Sequence, residues 1–442
     1  MQLHIGIDDT DSEKGGCTTY IAAHLVAKLG ALTDIRFRDY PNIIRLNPNI
    51  PFKTRGNAAV ALRITARKSS YEHILETVLD EIENRSHIGQ AGTDPAIVMT
   101  RGPPTRAIVR FSRRALYDVL SPQEAVDLVR STRATAACYG TNQGLVGALA
   151  AIGQTLADDH TFELIAYRKK SNWGTPRKVN EESVIRMDKA TRPMTFNNYD
   201  HENKRVLIAP HGPDPVLFGI RGESAEVVKK AFRYVKTSEP IERWVIFRTN
   251  HGTDAHLEAL PANPGPGLNR PTVLRGIVES APRRIRGGHV FFDLSAAASD
   301  FTCAAYEPTG NFRETISNLA RGDEVTVYGS LRKSPIPGPL TINLEKVRIH
   351  RLVEMATLRN PICPRCGQRL KSAGRRQGYR CERCSFEIRD AEKRVIASPR
   401  SIATGLYLPT AKAHRHLTKP LCRYGIEKAW DGRAPERCWH YP

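Results

Sequence analysis

Hydrophobic and polar positions alternate with two different periods along the first 258 residues, which predicts a mixed α/β region. Short apolar runs predict strands, and apolar positions spaced by three or four residues predict amphipathic helices. The predicted strands are 3–7, 59–64, 96–99, 163–167, 205–208 and 244–247, and the predicted helices include 71–84, 122–131 and 224–235. Strands that alternate with helices predict sheets covered by helices, and the length of this region favours two subdomains.

Proline and glycine mark where this region divides and where it ends. The best candidate for an internal boundary is the stretch Arg101-Gly102-Pro103-Pro104, on the basis of its breaker residues. A clearer linker covers residues 260–271, because four of these twelve residues are proline. The pattern therefore predicts a separate domain after residue 271.

The pattern changes to short β-type segments in residues 272–352. Five segments predict strands at 273–278, 289–294, 302–305, 324–331 and 340–350, and a helical patch at 315–319 precedes the fourth. Five strands in about eighty residues, with this helix, match an OB-fold barrel. Another small β-barrel or sandwich remains open on periodicity alone.

Two Cys-x-x-Cys pairs follow the β-rich region. Cys363 and Cys366 form the first pair, and Cys381 and Cys384 form the second after fourteen intervening residues. Each pair places two thiolates in a tight turn, and two such turns complete a tetrahedral zinc site. Four protein ligands leave no open position, so the zinc is predicted to be structural. The alternative, a redox Cys-x-x-Cys, fits two pairs at this spacing poorly.

Three aspartates, Asp8, Asp9 and Asp11, directly follow the first predicted strand. Carboxylates at the end of a strand can hold a hard divalent cation, which prefers oxygen ligands and carries substrate phosphates. The alternative is that the aspartates only form a turn and cap a helix. The motif G-x-x-x-x-G-K-[ST] is absent from the sequence, which excludes a P-loop NTPase.

Gly15 and Gly16 come next and lead into a predicted helix that begins near Thr18 and Thr19. A glycine-rich turn at a helix N-terminus supplies backbone N–H groups and the positive end of a dipole for an anion. Together with the aspartates, this turn predicts Mg²⁺-assisted phosphoryl chemistry, with Thr18 or Thr19 as a hydroxyl near the phosphate. The glycines could also serve only to reverse the chain.

Further basic residues lie in motifs that could reach an anion. Lys53 and Arg55 follow a proline-rich loop and could bind phosphate, and Arg221 lies in the turn 219–224. The segment 413–424 interleaves basic with apolar and aromatic residues, as RNA-contacting segments do. Solvated surface charges explain each motif as well, and His251 in the stretch 250–254 is more easily explained as structural.

Overall charge points to a polyanionic partner. The 442 residues include 66 Lys and Arg against 46 Asp and Glu, a formal net charge of +20. Nucleic acid is the first candidate, although a basic enzyme without such a partner remains open. No signal peptide or 20-residue apolar run is present in the sequence, and nine cysteines with four in close pairs favour a reducing compartment. We therefore expect a soluble, cytoplasmic protein.

Several stretches together resemble the archaeal tRNA(Ile) 2-agmatinylcytidine synthetase family. They are 6–12 (GIDDTDS), 17–20 (CTTY), 45–48 (RLNP), 53–57 (KTRGN), 219–224 (GIRGES), 250–254 (NHGTD) and 416–421 (HLTKPL). The likeness runs in the same motif order from residue 1 to about 425. The remaining tail, with Trp430 and Trp439, has no counterpart that the resemblance assigns.

The resemblance implies an architecture of five parts, α/β and multidomain. These are a kinase-like catalytic domain at 1–110, which part of 195–258 could complete, a ferredoxin-like domain at 111–258, an OB-fold at 272–352, a zinc ribbon at 359–395 and a basic C-terminal segment at 396–442. It implies an enzyme that uses ATP to couple agmatine to C2 of the wobble cytidine in a CAU anticodon, so that AUA is read as isoleucine. No membrane and no obligate protein partner is implied.

The resemblance also implies roles for named residues. Asp8, Asp9 and Asp11 would be catalytic, with Asp8 and Asp9 holding Mg²⁺, and Thr18 matches the family's phosphorylatable threonine. The motifs described above, and not the resemblance, carry the remaining site residues. Those expected to bind ATP or phosphate are Gly15, Gly16, Lys53, Arg55 and Arg221. Those expected to contact tRNA are Arg415 and Lys419 of the segment 413–424, and Arg375 and Arg376 between the two Cys-x-x-Cys pairs, where the charge could also be only a solvated loop face. The acids that would bind the agmatine dication are not identified.

Two other functions remain open. One is a non-catalytic nucleic-acid-binding protein with an OB-fold and a zinc ribbon, whose N-terminal region senses a nucleotide. The other is a metal-dependent phosphoesterase that uses the aspartate cluster. Consumption of ATP only in the presence of both agmatine and substrate tRNA would favour the ligase over both.

Overall fold

The computed structural model describes residues 1–53, 56–261, 267–296, 299–333 and 340–442. Arg55 and the middle of the proline-rich linker, 262–266, lie outside the described residues. Among the helices that are described, none is both long and apolar enough to cross a membrane.

The first 258 residues form one large sheet with helices on its faces. Its strands and a small neighbouring ribbon are β1 (Gln2–Asp8), β2 (Arg36–Phe37), β3 (Asn42–Arg45), β4 (Ala58–Thr65), β5 (Ala96–Arg101), β6 (Thr135–Cys138), β7 (Thr161–Arg168), β8 (Thr195–Phe196), β9 (Tyr199–Asp200), β10 (Arg205–Val206), β11 (Val216–Gly222) and β12 (Ile241–Thr249). The helices are α1 (Thr18–Gly30), α2 (Tyr71–Arg85), α3 (Arg106–Arg114), α4 (Pro122–Thr132), α5 (Gln143–Gly153), α6 (Glu181–Thr191), α7 (Ala225–Phe232) and α8 (Ala255–Glu258). The predicted mixed α/β region is confirmed.

The large sheet consists of two halves that meet at one short joint. Strands run in the order β6-β5-β1-β4-β3 in the N-terminal half and β12-β7-β11-β8 in the C-terminal half. The halves join where β3 pairs in parallel with β12, through Asn42 with Arg248 and Ile43 with Thr249. Strands β9 and β10 form a separate two-stranded ribbon, so the strand predicted at 205–208 is shorter than expected and lies outside the large sheet.

Small residues let α5 lie unusually close to the N-terminal half of the sheet. A side chain at Gly6 of β1 would collide with the Ala148 carbonyl oxygen, 2.0 Å from the position of an added Cβ. Along β4, Val60 and Leu62 face the core with α1 and α2, whereas Ala59 and Ala61 face α5. The small residues of α5 therefore pack closely against the sheet.

The next domain is a closed five-stranded barrel. Its strands are β13 (Pro271–Val278), β14 (Arg283–Arg284), β15 (Val290–Ala296), β16 (Ser299–Ala305), β17 (Glu324–Arg332) and β18 (Thr341–Arg351), with α9 (Phe312–Ser317) before β17. Pairing follows β13-β17-β18-β16-β15, and β13 also pairs with β15, which closes the barrel; β14 only extends β15. The five predicted strands and the helix before the fourth are confirmed.

A small cysteine-containing domain and a returning tail complete the chain. Strands β19 (Met355–Arg359) and β23 (Arg394–Ser398) form an exposed two-stranded arm, and β20 (Lys371–Ser372), β21 (Tyr379–Arg380) and β22 (Glu387–Ile388) form a three-stranded ribbon. Strand β24 (Gly405–Tyr407) adds to the barrel, and β25 (His440–Tyr441) adds to β12 of the large sheet. The last residues thus return to the N-terminal region.

Candidate active site

Two adjoining cavities lie at the carboxyl end of β1. The smaller one, the aspartate pocket, is lined by Asp8, Asp9, Asp11, Phe52, Lys53, Asn57, Gln143 and Gly147, among others. The larger one, the interdomain cleft, encloses about 620 Å³ and is lined by Asp11 and Thr18 from one half of the sheet and by Glu163, Arg221 and His251 from the other. Asp11, Gly56 and Ala58 line both cavities, so the two adjoin.

Local backbone geometry places the aspartates in their pocket. Strand β1 ends at Asp8, and Asp9 has a left-handed backbone with a φ of 57°. Ser12 and Gly15 then exchange backbone hydrogen bonds of 2.8 and 3.2 Å in a tight turn, where Gly15 and Gly16 have φ values of 144° and 78° that favour glycine. The predicted glycine turn before the first helix is therefore present.

Helix α5 forms the opposite wall of the aspartate pocket. An added Cβ at Gly147 would lie 1.7 Å from the Asp8 carboxylate, so only glycine permits this approach. The backbone N–H of Asp94 donates to Asp9 Oδ2 at 3.2 Å, and Thr93 Oγ1 donates to the Asp11 carbonyl at 2.9 Å. The aspartate loop is thus held from several sides.

Burial and mutual repulsion disfavour charge on two of the aspartates. Burial raises the pKa of Asp8 well above its usual range, and the neighbouring Asp9 adds to the effect. Burial, with a contribution from Asp11, raises the pKa of Asp9 to about 6. Carboxylates crowded in this way would be stabilised as anions by a cation between them.

The aspartates fit Mg²⁺ held partly by substrate. Within the described part of the chain, the four cysteines are the one set of three or more potential ligands whose atoms converge within 4.8 Å. The aspartate oxygens are therefore more widely spaced than a closed protein cage requires. Mg²⁺ is commonly bound through one or two carboxylates, with phosphates and water as the other ligands. Asp8 and Asp9 suit that mode.

Thr18 faces the interdomain cleft beside the aspartate loop. It is the first residue of α1 and is 5% exposed, and its hydroxyl lies 3.0 Å from the Thr10 hydroxyl. The helix N-cap is Cys17, so Thr18 does not cap the helix. Thr10, which the sequence did not single out, orients the Thr18 hydroxyl.

Glu163 organises the cationic wall of the cleft. It is 2% exposed, and its Oε1 accepts a 2.9 Å hydrogen bond from Arg221 Nε, while Oε2 lies 3.8 Å from Arg45 Nη2. The same Oε2 is 3.8 Å from His251 Nδ1. Burial, followed by the charge of Arg221, lowers the pKa of His251 well below its usual range, so this histidine is neutral. The cleft therefore presents two guanidinium groups beside one buried carboxylate, one hydrogen-bonded to it and the other at ion-pair distance.

Replacing Glu163 by glutamine should damage this wall. Glutamine keeps the size and the acceptor for Arg221 but removes the charge that offsets two buried guanidinium groups. We expect the free energy of unfolding to fall by about 3 kcal/mol and turnover to fall at least about tenfold. Chemical denaturation and initial rates measure both, with Glu242→Gln as the control, since Glu242 pairs with Tyr20 and Arg243 and lines neither cavity. An unchanged Glu163→Gln protein would contradict this assignment.

The remaining anion-binding candidates lie in different places. Lys53 is at the aspartate pocket, where its Nζ donates to the Pro48 carbonyl. Arg221 is in the interdomain cleft, and Arg55 lies outside the described residues. The structure thus brings Lys53 together with the aspartates and places Arg221 on the facing wall.

Two sequence motifs pack against each other, and each contributes one residue to the lining of the interdomain cleft, His251 and His416. In the stretch 250–254, the N–H groups of Gly252 and Asp254 donate to the carbonyls of His416 and Leu417 at 2.8 and 2.7 Å. Lys419 is 3% exposed, and its Nζ lies within 3.1 Å of Glu258 and 3.0 Å of Glu427. Because these carboxylates surround its buried ammonium, Lys419 holds the fold together, and its prediction as a tRNA contact is corrected.

The other predicted tRNA contacts have different settings. Arg415 lines the interdomain cleft, where its guanidinium contacts Asn49 and lies 3.3 Å from Ser330 Oγ of the barrel. Arg375 and Arg376 are exposed on the turn between β20 and β21. Arg415 thus connects the barrel to the cleft, and Arg375 and Arg376 lie on an exposed surface that a phosphate backbone could reach.

The four cysteines form a compact metal site. Cys363 Sγ lies 3.5 Å from Cys384 Sγ, and Cys366 Sγ lies 3.4 Å from Cys381 Sγ. Tetrahedral zinc–thiolate bonds of about 2.3 Å place sulfur atoms about 3.8 Å apart, close to these values. The predicted four-cysteine zinc ribbon therefore has the required geometry.

Comparison with known proteins decides the family. The model of the TiaS TCKD domain matches residues 4–141, that of the TiaS FLD domain residues 142–256, and that of the TiaS C-terminal zinc ribbon domain residues 360–402. The isoleucine-tRNA 2-agmatinylcytidine synthetase TiaS of Methanocaldococcus jannaschii is 40% identical over 431 residues, covering 95% of this chain and 98% of that protein. This chain belongs to the TiaS family. The family resemblance seen in the sequence is confirmed.

Solved TiaS structures share the whole architecture. A complex of TiaS with an isoleucine tRNA and ATP matches with a TM-score of 0.85 at 39% identity, covering 98% of this chain and 99% of the other. A complex of TiaS with the same tRNA, AMPCPP and agmatine matches with a TM-score of 0.83 at 38% identity and the same coverage. Apo TiaS covers 99% of this chain, which leaves too few residues uncovered to omit the tail after Gly425. The expectation that this tail lacks a counterpart is corrected.

Sequence reasoning missed residues that only the fold brings together. Glu163 gave one signal, because it is an acid inside the otherwise largely apolar strand β7 and such an acid needs a buried partner. Arg45 was noticed only as part of a loop motif. Thr10 gave no signal beyond its position between the aspartates.

Proposed function

We propose that this TiaS protein is an ATP-dependent ligase that attaches agmatine to C2 of the wobble cytidine in the CAU anticodon of an isoleucine tRNA. AUA codons are then read as isoleucine. The observation that carries this proposal is that Asp11 lines both the aspartate pocket and the interdomain cleft, so that the two cavities adjoin. Phosphate chemistry and a site large enough for a nucleoside therefore adjoin, in a chain 40% identical to a named synthetase.

The reaction needs two displacements. The C2 oxygen of cytosine is a poor leaving group, so the γ-phosphoryl group of ATP is first transferred to it and ADP leaves. The agmatine amine then attacks C2, the C–O bond breaks, and phosphate leaves with the former C2 oxygen. Because water would compete with the amine at the activated base, an enclosed site between two halves suits the second step.

The aspartate pocket supports the first displacement. Asp8 and Asp9 would hold Mg²⁺, which screens the phosphate charges when bound, and Lys53 and Arg55 would hold the phosphates as a point charge and a planar fork. The N-terminus of α1, which begins at Thr18, favours an anion on the side of the aspartate loop that faces the interdomain cleft. We propose that the N-terminal half of the sheet is the kinase-like part and that Thr18 is its phosphorylatable hydroxyl.

The cleft supports the second displacement. Arg221, held by Glu163, faces the half of the sheet that contributes Thr18, Asp11 and Arg45 to the cavity. Two guanidinium groups can stabilise the phosphate that is displaced from C2. An anticodon loop can unstack its cytidine into such a cleft at modest cost. The C-terminal half of the sheet would be the ferredoxin-like part.

The barrel and the ribbon would hold the rest of the tRNA. An OB-fold barrel and exposed basic residues such as Arg375 and Arg376 suit contact with phosphates and shape. Arg415 could extend that contact to the cleft. We propose that the reaction takes place in the cytoplasm, where the enzyme meets tRNA without either of them crossing a membrane.

Substrate dependence of ATP consumption tests this proposal. We expect ATP to be consumed in a sustained way only when agmatine and the isoleucine tRNA are both present. Binding of tRNA without turnover would support the non-catalytic alternative. Release of phosphate from simple esters without any amine would support the phosphoesterase.

Loss of zinc should affect tRNA binding before it affects ATP binding. Replacing Cys363 and Cys366 by serine should unfold the ribbon, whose small core contains these cysteines, Leu370 and Cys381. We expect tRNA affinity to fall by about tenfold or more, while the N-terminal region still binds ATP. Metal analysis and filter binding measure the two effects.

The control for this experiment is Cys422→Ser, because Cys422 is an exposed free thiol outside the ribbon. That variant should keep its zinc and its tRNA affinity. Undiminished tRNA affinity in the double variant would contradict a role for the ribbon in tRNA binding.

A further inference from the structure

The joint between the two halves of the large sheet is short. Two residue pairs, Asn42 with Arg248 and Ile43 with Thr249, connect β3 to β12. The interdomain cleft takes Thr18 from one half and Arg221 from the other. A small rotation at this joint would therefore change the distance between the phosphoryl-transfer residues and the cationic wall.

The C-terminal tail pairs with β12 beside the joint. Strand β25 pairs antiparallel with Trp244 and Val245, next to the part of β12 that pairs with β3. The Ile246 N–H donates to the Trp439 carbonyl at 2.9 Å. The tail thus continues the sheet where β3 no longer reaches.

Trp439 connects this strand to the N-terminal half. Its ring is 8% exposed and packs edge-on against Phe37, at 5.4 Å between ring centroids, and against Tyr40, at 5.8 Å. The backbone N–H of Glu436 donates to the Tyr40 hydroxyl at 3.1 Å. One indole therefore touches the N-terminal half while its backbone bonds to the C-terminal half.

Trp430 covers the ion pair that crosses the joint. Arg248 of β12 is 1% exposed and pairs with Asp39, which directly precedes Tyr40 in the N-terminal half. The Arg248 guanidinium lies 4.1 Å from the centre of the Trp430 ring. The backbone N–H of Trp430 donates to the Ala157 carbonyl at 2.8 Å. This ring shields the Arg248–Asp39 pair from water, where an exposed pair contributes little.

We propose that residues 430–441 form a clamp that positions the two halves of the sheet for catalysis, with Trp439 as its main positioning residue. The clamp touches neither substrate pocket directly. It acts by fixing the separation of Thr18 and the aspartates from Arg221. A displacement of about 1 Å at reacting groups can lower a rate by about a hundredfold, so a loosened clamp should reduce turnover far more than substrate binding. This role rests on the proposed function.

The test is to compare Trp439→Ala, Trp439→Phe and Tyr441→Ala in the full-length protein. Tyr441 is the matched control, because its side chain is 58% exposed on the same strand and its backbone pairing is kept. For Trp439→Ala we expect kcat for agmatine-dependent turnover to fall by about ten- to a hundredfold, with tRNA affinity within about twofold. Trp439→Phe should restore most of kcat, and Tyr441→Ala should equal the wild type.

A second readout does not depend on activity. Hydrogen exchange at the Ile246 amide should become at least about tenfold faster in Trp439→Ala, because its acceptor is the Trp439 carbonyl. If Trp439→Ala does not fold, Phe37→Leu takes its place. This change removes part of the same ring contact from the side of the N-terminal half. We expect kcat to fall and exchange of the Ile246 amide to become faster, both by smaller factors. Wild-type kcat in a folded Trp439→Ala or Phe37→Leu protein would overturn the clamp, as would an equal loss in Tyr441→Ala.

The two readouts also separate the clamp from the proposed function. A wild-type protein without agmatine-dependent turnover would overturn the proposed function. The exchange rate of the Ile246 amide would then decide by itself whether the tail holds the joint, and an unchanged rate in Trp439→Ala would overturn that as well.

Discussion

An Asp8→Asn or Asp9→Asn enzyme is expected to bind tRNA normally and to make no detectable product. Each change removes one anionic oxygen donor for Mg²⁺ at the aspartate pocket and leaves the barrel and ribbon untouched. Metal stabilisation of phosphoryl charge is worth several kcal/mol, so turnover should fall about a thousandfold or more. Asparagine has the size of aspartate and fits beside Gly147, where the Asp8 carboxylate packs.

Rates of agmatine-dependent product formation and tRNA affinities by filter binding measure this contrast. Asp127→Asn is a suitable control, because Asp127 is exposed on α4 and contacts only Gln123 among the described hydrogen bonds of its side chain. The control should keep both properties. Wild-type-like turnover in both pocket variants would remove the aspartates from the catalytic site.

Removing the Thr18 hydroxyl should have the second largest effect. Valine has nearly the shape of threonine, so Thr18→Val keeps the packing of this buried residue and loses only its hydroxyl. We expect Thr18→Val and Thr18→Ala to lower turnover by about a hundredfold or more, and Thr18→Ser to restore part of it. Single-turnover rates with saturating ATP and tRNA measure the loss.

The neighbouring threonine provides the comparison that decides between hydroxyls. Thr19 also lines the cleft, but its hydroxyl lies 3.0 Å from Cys17 Sγ, whereas the Thr18 hydroxyl lies 3.0 Å from that of Thr10. Thr19→Val should therefore keep most of the activity. A fully active Thr18→Val enzyme, or an active Thr18→Asn enzyme, would exclude Thr18 from the chemistry.

Features set by nearby residues could be predicted from the sequence. The zinc ribbon depends on two short Cys-x-x-Cys turns, and the barrel depends on five strands separated by turns, so both were predicted, the barrel with its strand positions. The aspartate loop and the glycine turn before α1 are likewise adjacent in the chain. The N-terminus of α7 is also capped locally, because Ser224 accepts a hydrogen bond from the Val227 N–H at 3.2 Å.

Features that depend on distant partners could not be predicted. Lys419 belongs to a segment that resembles an RNA-binding surface, and only the fold places Asp159 and Glu258 beside its ammonium. Glu163 and Arg221 are 58 residues apart. The division of the first 258 residues stays a prediction for a related reason: both halves share one continuous sheet, so no break in the pattern of strands marks the joint.

The packing of the C-terminal tail also could not be predicted from the sequence. Trp430 and Trp439 follow a glycine and a charged stretch, a pattern without a strand or helix period. Their packing against Arg248, Phe37 and Tyr40 depends on contacts with parts of the chain that are far away in sequence. A sequence pattern that is read locally cannot assign them a partner.

Mass analysis of the anticodon nucleoside tests whether this protein attaches agmatine to the wobble cytidine. An isoleucine tRNA with a CAU anticodon is incubated with the protein, ATP and agmatine, digested to nucleosides and compared with reactions that lack one component. We expect the wobble cytidine to gain the mass of one agmatine less one water, and only in the complete reaction. An unmodified cytidine in the complete reaction, with the protein folded and tRNA bound, would contradict that expectation.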